Sequence, residues 1–164
     1  MSMTDQQAEI VEAFRTFIED GCAHDDRYGV AERHDRADGS TLATRFAAGE
    51  SCWFEVAVRP TLPQLRVGFV TDDRWKSEEV EQAIQDSGDT MEEFVGIAFD
   101  EAGLDWEEPP VEHYRDGGTH FYFATPIDLE HITDLDADKL RNKTLRMLEG
   151  YLIAFGPVII GDEE

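Results

Sequence analysis

The chain has 164 residues, with 37 Asp and Glu against 14 Lys and Arg, for a formal net charge of −23. That length suits one domain with a real apolar core, since a chain of this size buries roughly two-thirds of its unfolded surface. So negative a surface repels nucleic-acid backbones and anionic membranes, which require basic patches, and no apolar run approaches the ~20 residues of a membrane-spanning helix.

The elements follow in order. Thr4-Asp5-Gln6-Gln7 fits a capping box, and Ile10, Phe14, Phe17 and Ile18 form a helical stripe that Gly21 is expected to stop. Residues 22–40 are polar and read as a loop of unusual length, which marks a segment with a function or with mobility. Thr41–Ala48 and Ser51–Arg59 then alternate as strands, the second setting Cys52, Phe54, Val56 and Val58 against Trp53, Glu55, Ala57 and Arg59. Pro60-Thr61-Leu62-Pro63 breaks the ladder, because proline donates no hydrogen bond. Leu65, Val67 and Phe69 share one side of a third strand.

Ser77 is expected to cap a helical stretch reaching Gly103, either one kinked helix or two, with a fresh start at Asp89-Thr90-Met91-Glu92. Asp116-Gly117-Gly118 signals a hairpin between Val111–Arg115 and His120–Thr125. A last helix is expected from Ala137 to Ala154, bearing Leu140, Leu145, Leu148 and Leu152. The sum is one acidic α+β domain over 1–164, an antiparallel sheet of about five strands with helices on one face, in the order α-βββ-α-ββ-α.

This order of elements resembles the secretion-chaperone-like fold of type III secretion chaperones and YbjN-like proteins. The likeness rests on the first amphipathic helix, the hairpin Ser51–Val70, the helical Ser77–Gly103, the hairpin Val111–Thr125 and the terminal helix, together with acidity. No diagnostic motif carries it, so no residue is transferred. The resemblance implies a homodimer that binds another protein without catalysis.

The N-terminal Met1-Ser2-Met3-Thr4-Asp5 lacks the basic and apolar regions of a secretory signal, so a cytoplasmic setting is expected, with Cys22 and Cys52 reduced. Acidic excess with only Lys76, Lys139 and Lys143 as lysines resembles proteins of high-salt cytoplasms. Cys22, His24, Asp25, Asp26, His34 and Asp35 crowd one segment, but without the paired spacing of a zinc site or the alternate oxygens of a calcium loop. Nucleophile elbow, phosphate loop, dinucleotide fingerprint and H-E-x-x-H are all lacking from the sequence. No catalytic, cofactor-binding or metal residue is therefore assigned.

The informative pattern lies on the sheet. With the core face set by Phe54, Val56, Val58, Val67, Phe69, Phe121 and Phe123, the opposite face receives Arg45, Trp53, Glu55, Arg59, Arg66, Tyr114, His120 and Tyr122. Arginine and aromatic residues are enriched where partners bind, so Trp53, Arg59, Arg66 and Tyr122 are the candidate partner-binding residues. The bland alternative is cross-strand pairing on a solvated face, Glu55 with a neighbouring arginine.

Met147 and Tyr151 widen the last helix beyond one stripe, which predicts a homodimer interface there; the Val158-Ile159-Ile160 run needs cover too. The preferred function is a non-enzymatic, chaperone-like interaction module holding a protein or peptide client on the sheet face or edge. The second is a small-ligand- or metal-binding domain, or an enzyme, with its site in the 22–40 loop.

Overall fold

A computed structural model describes residues 3–160, the side chain of residue 160 excepted. Thr4 does cap the first helix, α1 (Asp5–Ala23): its hydroxyl accepts from the Gln7 N–H, and the Gln7 side chain accepts from the Thr4 N–H. Gly21 does not end α1. It lies inside the helix, and a Cβ there would stand 3.0 Å from Leu145, so glycine's role at this position is close approach rather than termination.

Six strands follow one another into a single antiparallel sheet in the order β1-β2-β3-β4-β6-β5. They are β1 (Ala31–Arg33), β2 (Leu42–Ala47), β3 (Cys52–Arg59), β4 (Gln64–Thr71), β5 (Glu112–Asp116) and β6 (His120–Asp128). The register of β3 on β4 pairs Phe54 with Phe69 and Val56 with Val67, and that of β4 on β6 pairs Phe69 with Phe123. Period-2 alternation therefore puts these apolar side chains on one face, as the sequence predicts.

The expectations for the 22–40 segment and for the Ser77 cap need correction. The 22–40 segment is not all loop, because β1 pairs with β2 within it and makes a sixth strand. Its three residues are all exposed, so no apolar alternation announced it. The helical stretch before Gly103 is two helices, α2 (Arg74–Ser87) and α3 (Met91–Glu101). Gly88 breaks them at φ 80°, a left-handed cap conformation that favours glycine. Thr90 and Glu93 form the capping box of α3. Asp73, not Ser77, caps α2; Ser77 lies buried within that helix with its hydroxyl unpartnered.

The terminal helix α4 (Asp138–Ile160), preceded by a 3₁₀ turn at Ile132–Asp136, crosses β3 and β4, with α1, α2 and α3 packed around it. Phe155 is the hub of the core, its ring 5.5 Å from Phe69, 5.6 Å from Phe123 and 5.8 Å from Phe94.

Met147 and Tyr151, expected at a dimer interface, are fully buried inside the chain instead. The Tyr151 hydroxyl shares a 2.7 Å hydrogen bond with Thr125 Oγ1 of β6, so a second stripe of α4 is covered by the sheet and α3. These two residues lend the expected homodimer no support. Val158 and Ile159 continue the helix, and Ile159 finds its cover inside the chain, 7% exposed. Cys22 and Cys52 are both free and buried, and burial pushes the Cys22 thiol up to about 12. Among the described residues no helix is long and apolar enough to cross a membrane.

Candidate functional site: the cup on the outer face of the sheet

The face of the sheet turned away from the helices is built from small residues between large polar ones. Ala43, Ala57 and Ala124 are buried there, and Gly68 joins Glu55 on one side to Ala124 on the other. Gly68 is required by close approach: a Cβ would run into the Phe123 carbonyl and Ala124. With no bulk along this row, the sheet can curl towards its outer face.

Two contacts measure the curl. Arg45 of β2 donates to the Tyr122 hydroxyl of β6 at 3.0 Å, although three strand spacings separate them, or about 14 Å on a flat sheet. Arg36, just past β1, reaches Asp116 at the end of β5 at 2.6 Å. Those two strands are the opposite edges of the sheet, about 24 Å apart if it were flat. The edges are thus drawn over the face, and a cup of about 220 Å³ lies beneath, lined from all six strands or their extensions.

The alternation of the 31–36 segment explains how Arg36 gets there. Arg33 and Asp35 point to the helix side. Arg33 ion-pairs with Glu12 and Glu19 of α1 at 2.8 Å, and Asp35 receives a two-pronged contact from the buried Arg15 at 2.8 and 2.9 Å. The Ala43 N–H also donates to Asp35, and the Arg15 guanidinium beside it holds this carboxyl below the usual carboxylate range. With odd positions clamped to α1, the even positions His34 and Arg36 face the cup.

At the floor, Glu55 is buried and accepts from Arg45 Nε at 2.8 Å across the β2–β3 pair. Burial pushes the Glu55 carboxyl up and Arg45 pulls it back, burial being the larger effect. The Tyr114 and Tyr122 rings stack at 4.9 Å, with an angle of 5° between planes. Arg66 donates to the Tyr114 hydroxyl at 3.2 Å and to Gln64 at 2.7 Å, and pairs with Glu112 at 2.6 Å. Burial raises both phenols, Tyr122 to about 12, so both keep their protons at neutral pH. Arg59 also lines the cup and has no ion pair or hydrogen bond among the described residues.

Of the four candidate partner-binding residues, Arg59, Arg66 and Tyr122 are brought together here. Trp53 lies on the same face beyond the cup, half-buried, its ring 6.3 Å from that of His120 and 5.6 Å from the Arg45 guanidinium. Tyr122 is more enclosed than an open face implies, with 8% exposure. The bland cross-strand pairing of Glu55 is also real, since it meets Arg45. Sequence reasoning missed His34, Arg36 and Asp116 as cup residues. The alternation of Arg33 and Asp35 with His34 and Arg36 was the available signal.

The ligand-type residues of the 22–40 segment scatter. Cys22 enters the core, Asp25 is held by Arg27 at 2.7 Å, Asp35 by Arg15, and His34 faces the cup. Among the described residues, no group of three or more His, Cys, Asp or Glu could hold a metal ion. A larger groove of about 700 Å³ runs between β2 and the end of α4, past Ala47, Ala48, Leu152, Ile153 and Pro157, and is mostly apolar. It lacks the converging polar side chains that the cup has. No family model, curated protein or solved structure matches the chain.

Proposed function

We propose that this chain is a non-enzymatic binding module that holds a short segment of a partner protein on the curled outer face of its sheet. The observation that carries the reading is the edge-to-edge closure by Arg36 and Asp116 over a floor of arginine and tyrosine. A face that served only to meet solvent would have no need of side chains from six strands converging on one hollow. Arginine and aromatic residues in partly enclosed positions are what interaction sites use for affinity. The Trp53–His120 pair extends the surface with an aromatic platform, so an extended segment would span both an aromatic and a polar subsite.

The chaperone-like expectation belongs to this reading as a statement about the client, a protein chain, and about the absence of turnover. The small-ligand alternative converges on the same place, because the 22–40 segment supplies His34 and Arg36 to the cup. Selection of peptides from a random library on the immobilised protein, in molar KCl, tests the proposal. Enriched peptides should lose about tenfold or more in affinity with Trp53→Ala or Arg59→Ala, by fluorescence polarisation. Failure to enrich any peptide, or equal affinity for parent and both variants, would reject it.

A further inference from the structure

The polar end of the cup offers more hydrogen-bond donors than its own acceptors can take. A guanidinium carries donors only. The Tyr122 and Tyr114 oxygens, which receive Arg45 and Arg66, must therefore accept in those contacts, and each phenol proton is left to be donated elsewhere. Among the described residues no acceptor meets either proton, and the Arg59 side chain has no hydrogen bond or ion pair.

Charge agrees. Among the arginines lining the cup, Arg36 is offset by Asp116, Arg45 by Glu55 and Arg66 by Glu112, which leaves Arg59 without an ion pair among the described residues.

We infer that the cup recognises a carboxylate on a short aliphatic chain, held by the Arg59 guanidinium and the two phenol protons. The inference rests on the use of the cup proposed above and specifies its ligand. One net positive charge matches a monoanionic group. A phosphate dianion would bring a second negative charge close to Glu55 and Asp116, within the field of the whole acidic chain. The planar fork of arginine fits the two oxygens of a carboxylate. A hollow of about 220 Å³ is smaller than the ~300–1,000 Å³ of pockets for whole small molecules, and suits a side chain or a chain terminus. Such a group could come from an acidic peptide or from a free small acid.

The test is a titration of the ¹⁵N-labelled chain at fixed KCl with butyrate, butyramide, inorganic phosphate, and a short end-blocked peptide with one central Glu or, in its place, Gln. Butyrate or the Glu peptide should shift Arg59 and Tyr114 resonances to saturation, while butyramide and the Gln peptide should bind about tenfold or more weakly. R59Q should cost about tenfold or more, the range for a charge-assisted contact. Y114F removes one phenol proton and keeps the ring; it should cost severalfold with the amide spectrum of the fold unchanged.

Tighter binding of the Glu peptide than of butyrate identifies a peptide source, and butyrate binding alone identifies a small acid; both support the carboxylate site. No saturation by either acid, equal binding to R59Q, or phosphate binding tighter than butyrate would overturn it. Library peptides that need the cup yet bind equally with Glu replaced by Gln would overturn the carboxylate assignment while leaving the partner-segment reading intact.

Discussion

Asp35 shows how one carboxylate can organise a surface without belonging to it. It takes the two Nη groups of Arg15, which is 5% exposed, and thereby fixes the segment that aims His34 and Arg36 across the cup. Breaking a fully buried pair costs about 3–5 kcal/mol; Asp35 is partly open to solvent, so Asp35→Asn should cost about 1–2 kcal/mol at pH 7. The sign of the pH dependence follows from its lowered folded pKa. The stabilisation is complete above the unfolded Asp value of about 4 and is lost as pH falls through the folded value. Acid also relieves the repulsion among the chain's many carboxylates, but parent and variant share that effect. Urea melts of both proteins at pH 7 and near pH 3 should therefore show a gap in stability that narrows in acid. A gap of equal size at both values would mean that the Arg15 pair contributes nothing through charge.

Curvature belongs to the strands. Small residues on a diagonal of the register, Ala57, Gly68 and Ala124, let β3, β4 and β6 bend toward the outer face, and the edge contacts then hold the bend. Gly68→Ala would push a methyl group into the backbone of β6, and overpacking of this kind costs about 1–3 kcal/mol. The expected result is a lower urea midpoint with weakened ring contact between Tyr114 and Tyr122 by NMR. An unchanged midpoint with an intact stack would remove Gly68 from the account. Of the elements themselves, β2, β3, β4 and β6 were legible from period-2 alternation, β5 from the Asp116-Gly117-Gly118 turn, α1 from a capping box that the side chains do form, and α3 from its start at Asp89-Thr90-Met91-Glu92. β1 was not legible, because an exposed edge strand has no apolar face to reveal it. Met147 and Tyr151 misled for the opposite reason. An apolar stripe states that it will be covered, and only the packing of α3 and the sheet around α4 states by what.

Across the whole molecule, the net charge of −23 makes self-repulsion the widest-ranging term. Salt weakens it, the screening length falling to about 3 Å at 1 M. Salt also weakens exposed pairs such as Arg36–Asp116 and Arg33–Glu12, but pairs of this kind contribute about 0–1 kcal/mol each. Repulsion over the full surface should outweigh them. Thermal melts from low to molar KCl should rise by about 5 °C or more, equivalent to a gain of ~2 kcal/mol for a chain of this size. A flat or falling series would show that paired charges, rather than excess charge, dominate.

Composition and periodicity determined the α+β class, the polarity of the two sheet faces and the gathering of arginine and tyrosine on one of them. Those properties are local, because a side chain's face follows from its position in a strand. Tertiary structure decided that this face is a closed cup rather than an open plane. That outcome depends on Arg36 meeting Asp116 from the far edge of the sheet and on Arg45 reaching Tyr122 across three strand spacings. Contacts between residues 80 and 77 positions apart leave no periodic trace in the chain, since they exist only once strand order and curvature are set.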